Sequence, residues 1–259
     1  MREDLARYSL DVTSIDAGLG KTEILSVVMP AFNEESTLEQ IVTRVLAQPQ
    51  VGQLIIVDDA SSDGTPQILL KIGQNPKVEI ITHPRNMGKG AAIKSASQNI
   101  KFPYVLIQDA DLEYDPTQYS KILAPLISGH ADVVYGSRFQ TGEVRRVLYF
   151  WHFLGNQFLT LLSNAFTNLN LSDMETCFKA MKSSHFRNLD LKEKRFGVEP
   201  EMTAKLAAMK LRFFEVSISY FGRTYEEGKK IHAKDGFRAI FCIVFYNLPG
   251  QKKKSRKLQ

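Results

Sequence analysis

Apolar and polar positions are grouped in alternating blocks over the first half of this chain. Ile24 to Met29 is a β-branched apolar run stopped by Pro30. Leu54 to Val57, Val78 to Thr82, Tyr104 to Gln108 and Val133 to Tyr135 are runs of the same kind. Between them lie segments with helical period and helical punctuation. Ser36-Thr-Leu-Glu39 reads as a capping box that opens a helix to about Gln48. Thr65-Pro66 places a proline in the first turn of a helix ending near Gly73. Further helices fit Gly88 to Asn99 and Pro116 to Ser128. Strands that alternate with single helices require right-handed crossovers, and so predict an α/β fold with a mainly parallel sheet. The strands are apolar throughout, as strands covered on both faces are.

Beyond Gly136 the pattern changes. Val144 to Leu169 is long, aromatic-rich and helical in period, Pro200 to Met209 fits another helix, and Leu211 to Ser219 alternates like a strand. A polar loop from Gly222 to Lys230 precedes a last helix, Asp235 to about Asn247. This half reads as a helical region that completes a site on the acceptor side, with a lead-in arm over residues 1–22 at the other end. The expected division is an arm (1–22), a main domain (23–235), an amphipathic helix (236–250) and a basic tail (251–259).

Composition narrows the classes. An apolar fraction of 44% and a charged fraction of 24% are those of a globular protein. Cys177 and Cys242 stand far apart with no Cys/His ligand spacing, which argues against a disulfide framework or structural zinc. The N-terminus lacks the apolar core of a signal peptide, and no uninterrupted apolar run reaches the ~20 residues that span a bilayer. A cytoplasmic or membrane-peripheral location is expected. The net charge of +5 is unevenly placed, with Lys252, Lys253, Lys254, Arg256 and Lys257 crowding the C-terminus. No nucleic-acid module accompanies them, so no nucleic-acid partner is expected. An anionic membrane surface is the better match for the tail, and a solvated tail is the alternative. Val147 to Leu162 and Phe237 to Leu248 can lie in a membrane interface, aromatic face down, or pack on the sheet. The sequence fixes no oligomeric state.

Candidate chemistry collects where the strands end, the edge at which open parallel sheets bind ligands. Pro30-Ala-Phe-Asn33-Glu34 follows the first strand, and Asp58-Asp59-Ala-Ser61-Ser62-Asp63-Gly64 the second. Arg85-Asn86-Met-Gly88-Lys89-Gly90 follows the third and Gly136-Ser-Arg138-Phe139 the fifth. Each alone is explained by turn chemistry; all on one edge are not. After the fourth strand, Asp109, Asp111 and Glu113 sit at i, i+2 and i+4, which in extended backbone aims their carboxylates to one side. Convergent carboxylates need a cation, and hard oxygen donors suit Mg²⁺ or Mn²⁺ shared with a substrate phosphate. A carboxylate at Asp58 or Asp59 can accept from a base or ribose while its neighbour braces the loop, and Asn33 and Glu34 can do the same. Gly88-Lys89-Gly90 opens a helix whose free N–H groups and lysine suit a phosphate. Neither GxxxxGK[ST] nor GxGxxG is present, so the site suits one nucleotide, a diphosphate and a divalent ion.

Pro30-Ala-Phe-Asn-Glu, Val57-Asp-Asp-Ala-Ser-Ser-Asp-Gly, Asn86-Met-Gly-Lys-Gly, Asp109-Ala-Asp and Gly136-Ser-Arg-Phe together resemble family 2 glycosyltransferases of the GT-A (Rossmann-like) fold. The chain is most similar to the dolichyl-phosphate mannose synthase-like, polyprenyl-phosphate branch, over roughly residues 24–235. The resemblance implies a nucleotide-sugar donor whose site takes in Pro30, Glu34, Asp58 or Asp59, and Lys89. It implies that Asp109 and Asp111 hold the metal on the diphosphate, with Glu113 where the mannose synthases carry a Gln. Arg223 and Lys230 match the family's late Arg…Gly-x-Lys segment that closes over the diphosphate, with Lys229 as the alternative to Lys230. Inverting displacement onto a lipid phosphate is implied, with Arg138 and Arg145 or Arg146 on the acceptor phosphate. Asp173 or Glu175 falls where relatives place acceptor residues; capping is the competing reading of both. His152 reads as a packed or interfacial residue, and Glu199 and Glu201 as carboxylates that begin a helix.

Overall fold

The computed structural model describes residues 23–147, 149–224 and 233–256, without the side chains of Ala233, Lys234 and Arg256. Five parallel strands arise where the apolar runs predict them: β1 (Leu25–Ala31), β2 (Val51–Asp58), β3 (Val78–Thr82), β4 (Tyr104–Ile107) and β5 (Val133–Ser137). Helices α1 (Leu38–Leu46), α2 (Thr65–Ile72), α3 (Lys89–Ala96) and α4 (Tyr119–Ile127) connect them, a 3₁₀ turn over Pro116–Gln118 leading into α4. Then follow α5 (Phe150–Thr167), β6 (Lys179–Lys182), α6 (Ser183–Arg187), α7 (Val198–Ala208), β7 (Phe213–Ser217), α8 (Ala233–Tyr246) and α9 (Pro249–Arg256). The sheet has seven strands in the order β3-β2-β1-β4-β6-β5-β7.

The order reverses direction beside β1: the chain moves outward through β2 and β3, then returns to β4 on the other flank. The loops after β1 and β4 therefore part from each other at a crevice, the place where doubly wound sheets bind ligands. The core behind it is apolar and closed. Leu25, Val27, Val28, Leu54, Ile55, Ile56, Val105 and Leu106 are fully buried, and Tyr119, Tyr135 and Phe178 fill the space towards β5.

β6 was not expected from the sequence. It runs antiparallel between β4 and β5, pairing Val105 with Met181 and Val133 with Met181. The capping box does not form: α1 starts after Thr37, whose hydroxyl donates to the Ala110 carbonyl and the Glu34 carboxylate (each 3.0 Å). The β1 loop is thereby tied to the β4 loop at the expense of a helix cap. The long C-terminal helix begins at Phe150, not Val144. Arg145 instead lies in extended chain bridged to Tyr220, so Arg145 and Arg146 do not start a helix. The basic segment is helical as α9 and packs on α7. The arm over residues 1–22, and Lys229 and Lys230, lie outside the described residues.

Candidate active site

Backbone and side chains of the first two loops are knitted together. Asn33 takes a left-handed conformation (φ 52°), and its side-chain oxygen accepts from Ser62 N–H (2.8 Å) while its own N–H donates to Ser61 Oγ (2.9 Å). Asp58, at the end of β2, is buried and caps the turn by accepting from Ser61 N–H (3.0 Å). Asp59 braces the neighbouring loop: it accepts from the N–H groups of Met87 (2.8 Å) and Gly88 (2.6 Å) and meets His83 Nδ1 (2.7 Å). Asn33 is thus a brace rather than an open acceptor. Gly88 has φ 95°, and a Cβ there would meet the Lys194 carbonyl at 2.3 Å, so only glycine fits.

Above these braces lies a cavity of about 1090 Å³. Pro30, Glu34, Asp59, Lys89, Asp109, Asp111, Glu113, Arg138, Glu175 and Arg223 all line it. The sequence-predicted residues thus converge from strand ends far apart in the chain. Asp58, Arg145 and Arg146 are not among the lining residues. Arg145 donates to the Arg138 carbonyl (3.1 Å) and Arg146 to the Gly222 carbonyl (3.0 Å), so both guanidinium groups hold backbone at the cavity's rim.

The acidic wall is matched by cations. Lys89 Nζ lies 2.9 Å from Asp109 and 3.0 Å from Glu199. Arg223 reaches Asp111 (2.6 Å), Glu113 (3.1 Å) and Glu34 (3.4 Å). Glu113 also accepts from the Tyr220 hydroxyl (2.6 Å) and the Arg223 N–H (2.9 Å), which turns it towards the Arg223 segment. Burial works against the charge on Lys89, yet Asp109 and Glu199 hold its pKa well above the usual lysine value. Asp109 lies below the carboxylate range: Lys89 outweighs burial. Asp111 is pushed up to about 8 by burial and by the charges of Asp109 and Glu113, which Arg223 only partly offsets.

That imbalance tests the fit of a divalent ion. The carboxylates exceed the positive charge that reaches them, and every donor is a hard oxygen. Among the described residues no group of three or more His, Cys, Asp or Glu closes on one point as a metal cage. With Glu113 committed elsewhere, the two aspartates suit an ion that takes its remaining ligands from a substrate phosphate, the usual habit of Mg²⁺.

Further along the cavity, Arg138 forms a bidentate ion pair with the fully buried Asp173 (2.6 and 2.7 Å), and the ring of Tyr220 lies under the guanidinium. Asp173 is therefore the partner of Arg138 and lies away from the cavity surface. Glu175 faces the cavity, and its carboxyl is pushed up to about 8 by burial and by the charge of Glu199. Lys179, buried on β6, donates to the carbonyls of Met174 (2.9 Å) and Thr176 and so fixes the loop that carries Glu175. Burial depresses the Lys179 pKa.

Sequence reasoning missed Glu199 as a lining residue. Its place in the first turn of α7 has an ordinary explanation in the helix dipole, and no local pattern sets it apart from Glu201, which turns away to accept from the N–H groups of Lys192 and Glu193 and from Lys205 Nζ. Trp151, His152, Asn156 and Asp235 bring α5 and α8 to the cavity's far side.

A seven-stranded, mainly parallel sheet with its crevice at the strand reversal and acids at the end of β4 is the GT-A fold. The chain matches Glycosyl transferase family 2 over residues 26–190, and it belongs to that family. It is 30% identical over 243 residues to the low-salt glycan biosynthesis hexosyltransferase Agl6 of Haloferax volcanii, covering 92% of this chain and 56% of Agl6. It thus spans little more than half the length of that relative. A UDP-N-acetylglucosamine–dolichyl-phosphate N-acetylglucosaminyltransferase of Methanococcus voltae is 24% identical, over 87% of this chain and 97% of its own. Among solved structures, glucosyl-3-phosphoglycerate synthase of Mycobacterium tuberculosis, in complex with Mn²⁺, UDP and phosphoglyceric acid, superposes with a TM-score of 0.67 at 18% identity. That match covers 92% of this chain and 82% of the synthase, and shows the shared fold.

Proposed function

We propose that this glycosyltransferase moves a hexosyl group, with inversion, from a nucleotide sugar to a polyprenyl phosphate at the cytoplasmic face of a membrane. The observation that carries the reading is the acidic wall of Asp109 and Asp111 with Lys89 and Arg223 set against it, at the mouth of the sheet. Asp109 and Asp111 would hold the divalent ion, Mg²⁺ or Mn²⁺, which supplies positive charge to the departing diphosphate. Lys89 and Arg223 stand where their remaining N–H donors can add contacts to phosphate oxygens as charge accumulates there, stabilising it where it develops. Lys230 belongs to the same proposal through the family motif. Pro30, Glu34 and Asp59 form the nucleoside end, with Asp58 and Asn33 holding the loops that carry them.

The reaction forms a bond from an acceptor oxygen to the anomeric carbon and breaks the bond from that carbon to the diphosphate. A lipid phosphate is already anionic, so no general base is required. Arg138, although paired with Asp173, is the cavity-lining cation on that side; Arg145 and Arg146 at the rim are the second contacts. The aromatic faces of α5 and α8 support lipid at the cavity mouth: Phe150, Trp151 and Phe237 are 63%, 75% and 76% exposed. The dolichyl-phosphate relative from Methanococcus voltae points the same way. Among the described residues no helix is long and apolar enough to cross a membrane.

Glu175 favours a second reading. A carboxyl raised to about 8 beside the cavity is suited to take a proton from a hydroxyl acceptor, a glycan or a small molecule. A panel of GDP- and UDP-hexoses with Mg²⁺ or Mn²⁺, offered polyprenyl phosphate, hydroxyl acceptors or water, separates the readings. Nucleoside diphosphate released only with polyprenyl phosphate is the expected result. Release with a hydroxyl acceptor, abolished in Glu175→Gln, would select the second, and pyrophosphate as product would reject both.

A further inference from the structure

Glu199 lines the cavity, yet the reading above gives it no part in holding the nucleoside, the diphosphate or the acceptor. It is 7% exposed. Its Oε1 meets Lys89 at 3.0 Å, while its buried Oε2 has no hydrogen-bond partner among the described residues. A buried acceptor is stable only with a donor, so an unmatched carboxylate oxygen at a cavity wall marks where a ligand's N–H or O–H belongs. Loop bracing does not account for it: Glu201, two residues on, spends its carboxylate on the chain, and Glu199 does not.

We propose that Glu199 recognises the hexose of the donor by accepting a hydrogen bond from a sugar hydroxyl at Oε2. This role for Glu199 rests on the nucleotide-sugar reading above. Lys89 places the hexose end: one ammonium touches both Asp109, at the diphosphate, and Glu199. The next group along the donor from the diphosphate is the sugar, so Glu199 stands where the hexose must lie. An ionised phosphate oxygen only accepts, so it cannot supply the donor that Oε2 lacks. A hexose offers neutral hydroxyls, each able to donate. Oε1, held by Lys89, fixes the carboxylate's rotation, so Oε2 reads one direction and discriminates between epimers and deoxy sugars. Sites built to hydrogen-bond a substrate hydroxyl reject analogues lacking it, since the protein's own polar group is then left unmatched.

The test compares wild type with Glu199→Gln on the preferred nucleotide sugar and on donors lacking one hydroxyl at a time. Binding of the free nucleoside diphosphate is measured alongside. The substitution keeps the shape and, through its amide oxygen, the Lys89 contact, but puts an NH2 donor where the Oε2 acceptor stood. The expected result is a fall in kcat/KM of about 10- to 100-fold on the intact donor. The fall should shrink to within about twofold on one deoxy donor, with nucleoside diphosphate affinity unchanged. An equal fall on every donor, or an equal loss of nucleoside diphosphate binding, overturns the assignment. Should the variant not fold, wild type decides: indifference to every deoxy substitution overturns it, and a selective loss with one supports it. Wild type that turns over no nucleotide sugar at all would overturn the functional reading on which this rests, a different failure from a working enzyme blind to hydroxyls.

Discussion

Buried carboxylates set the pH behaviour of the apo protein. Glu175 binds its proton up to about pH 8 when folded, against an ordinary carboxyl near 4.5. Between those values the folded state holds more protons than the unfolded chain, so stability falls as pH rises through that window. Below it both states are protonated and the effect is gone. Glu175→Gln removes the penalty: thermal unfolding of the variant should lose less stability than wild type from pH 5 to pH 8. The difference should be on the order of 1–3 kcal/mol. Identical slopes would show that Glu175 is ionised without penalty. The sequence made Glu175 a candidate through motif position alone. Its raised pKa comes from burial and then from Glu199, 24 residues away in the chain, and no local pattern carries either. Asp109 and Asp111 were legible because their spacing and the preceding apolar run act locally. Glu113 was legible as an acid but not in direction, since Tyr220 and Arg223 turn it.

At the scale of elements, the parallel strands and their helices follow from patterns that each complete themselves within a few residues. β6 does not. Its four residues, Lys179-Ala-Met-Lys182, put a lysine in the core, where the Met174 and Thr176 carbonyls, the Tyr135 ring and the nearby Glu199 and Glu175 make that position tolerable. The capping box failed for a related reason: Thr37, tied to the Ala110 carbonyl, takes the cap position instead of Ser36, so Glu39 falls one residue short of the place a box requires. The start of α3 shows how closely elements are fitted around the site. A Cβ on Gly90 would meet the Glu193 carbonyl at 2.2 Å, a backbone atom that cannot swing aside. Gly90→Ala should therefore destabilise the protein by about 1–3 kcal/mol, although alanine favours helices. Gly155→Ala, on α5 with open space around it, should instead stabilise by about 0.5–1 kcal/mol. Chemical denaturation of the two variants checks this, and destabilisation of both alike would refute the packing argument.

For the whole molecule, the distribution of exposed apolar side chains is uneven. Val147, Phe150, Trp151, Phe158 and Leu161 on or beside α5, and Phe237, Phe241 and Leu248 on or after α8, are exposed, and the two helices pack together. Lys253 and Lys254 of α9 are exposed on the adjoining element. Aromatic surface with basic charge nearby suits an anionic bilayer, each basic residue contributing about 1 kcal/mol near the surface. Phe150→Ser combined with Phe237→Ser should lower co-sedimentation with anionic vesicles about tenfold or more, and raised salt should weaken wild-type binding. Vesicle binding that is absent in wild type, or indifferent to both changes, would contradict the docking reading.

The proposed function makes the aspartates at the end of β4 the centre of the activity. Nucleoside diphosphate release from the preferred donor, measured against Mg²⁺ or Mn²⁺ concentration in wild type and in Asp109→Asn with Asp111→Asn, tests that claim most directly. With circular dichroism showing both proteins folded, turnover should fall at least about 100-fold in the variant and its dependence on the ion should disappear. Turnover at the wild-type rate, with the ion still required to the same degree, would contradict it.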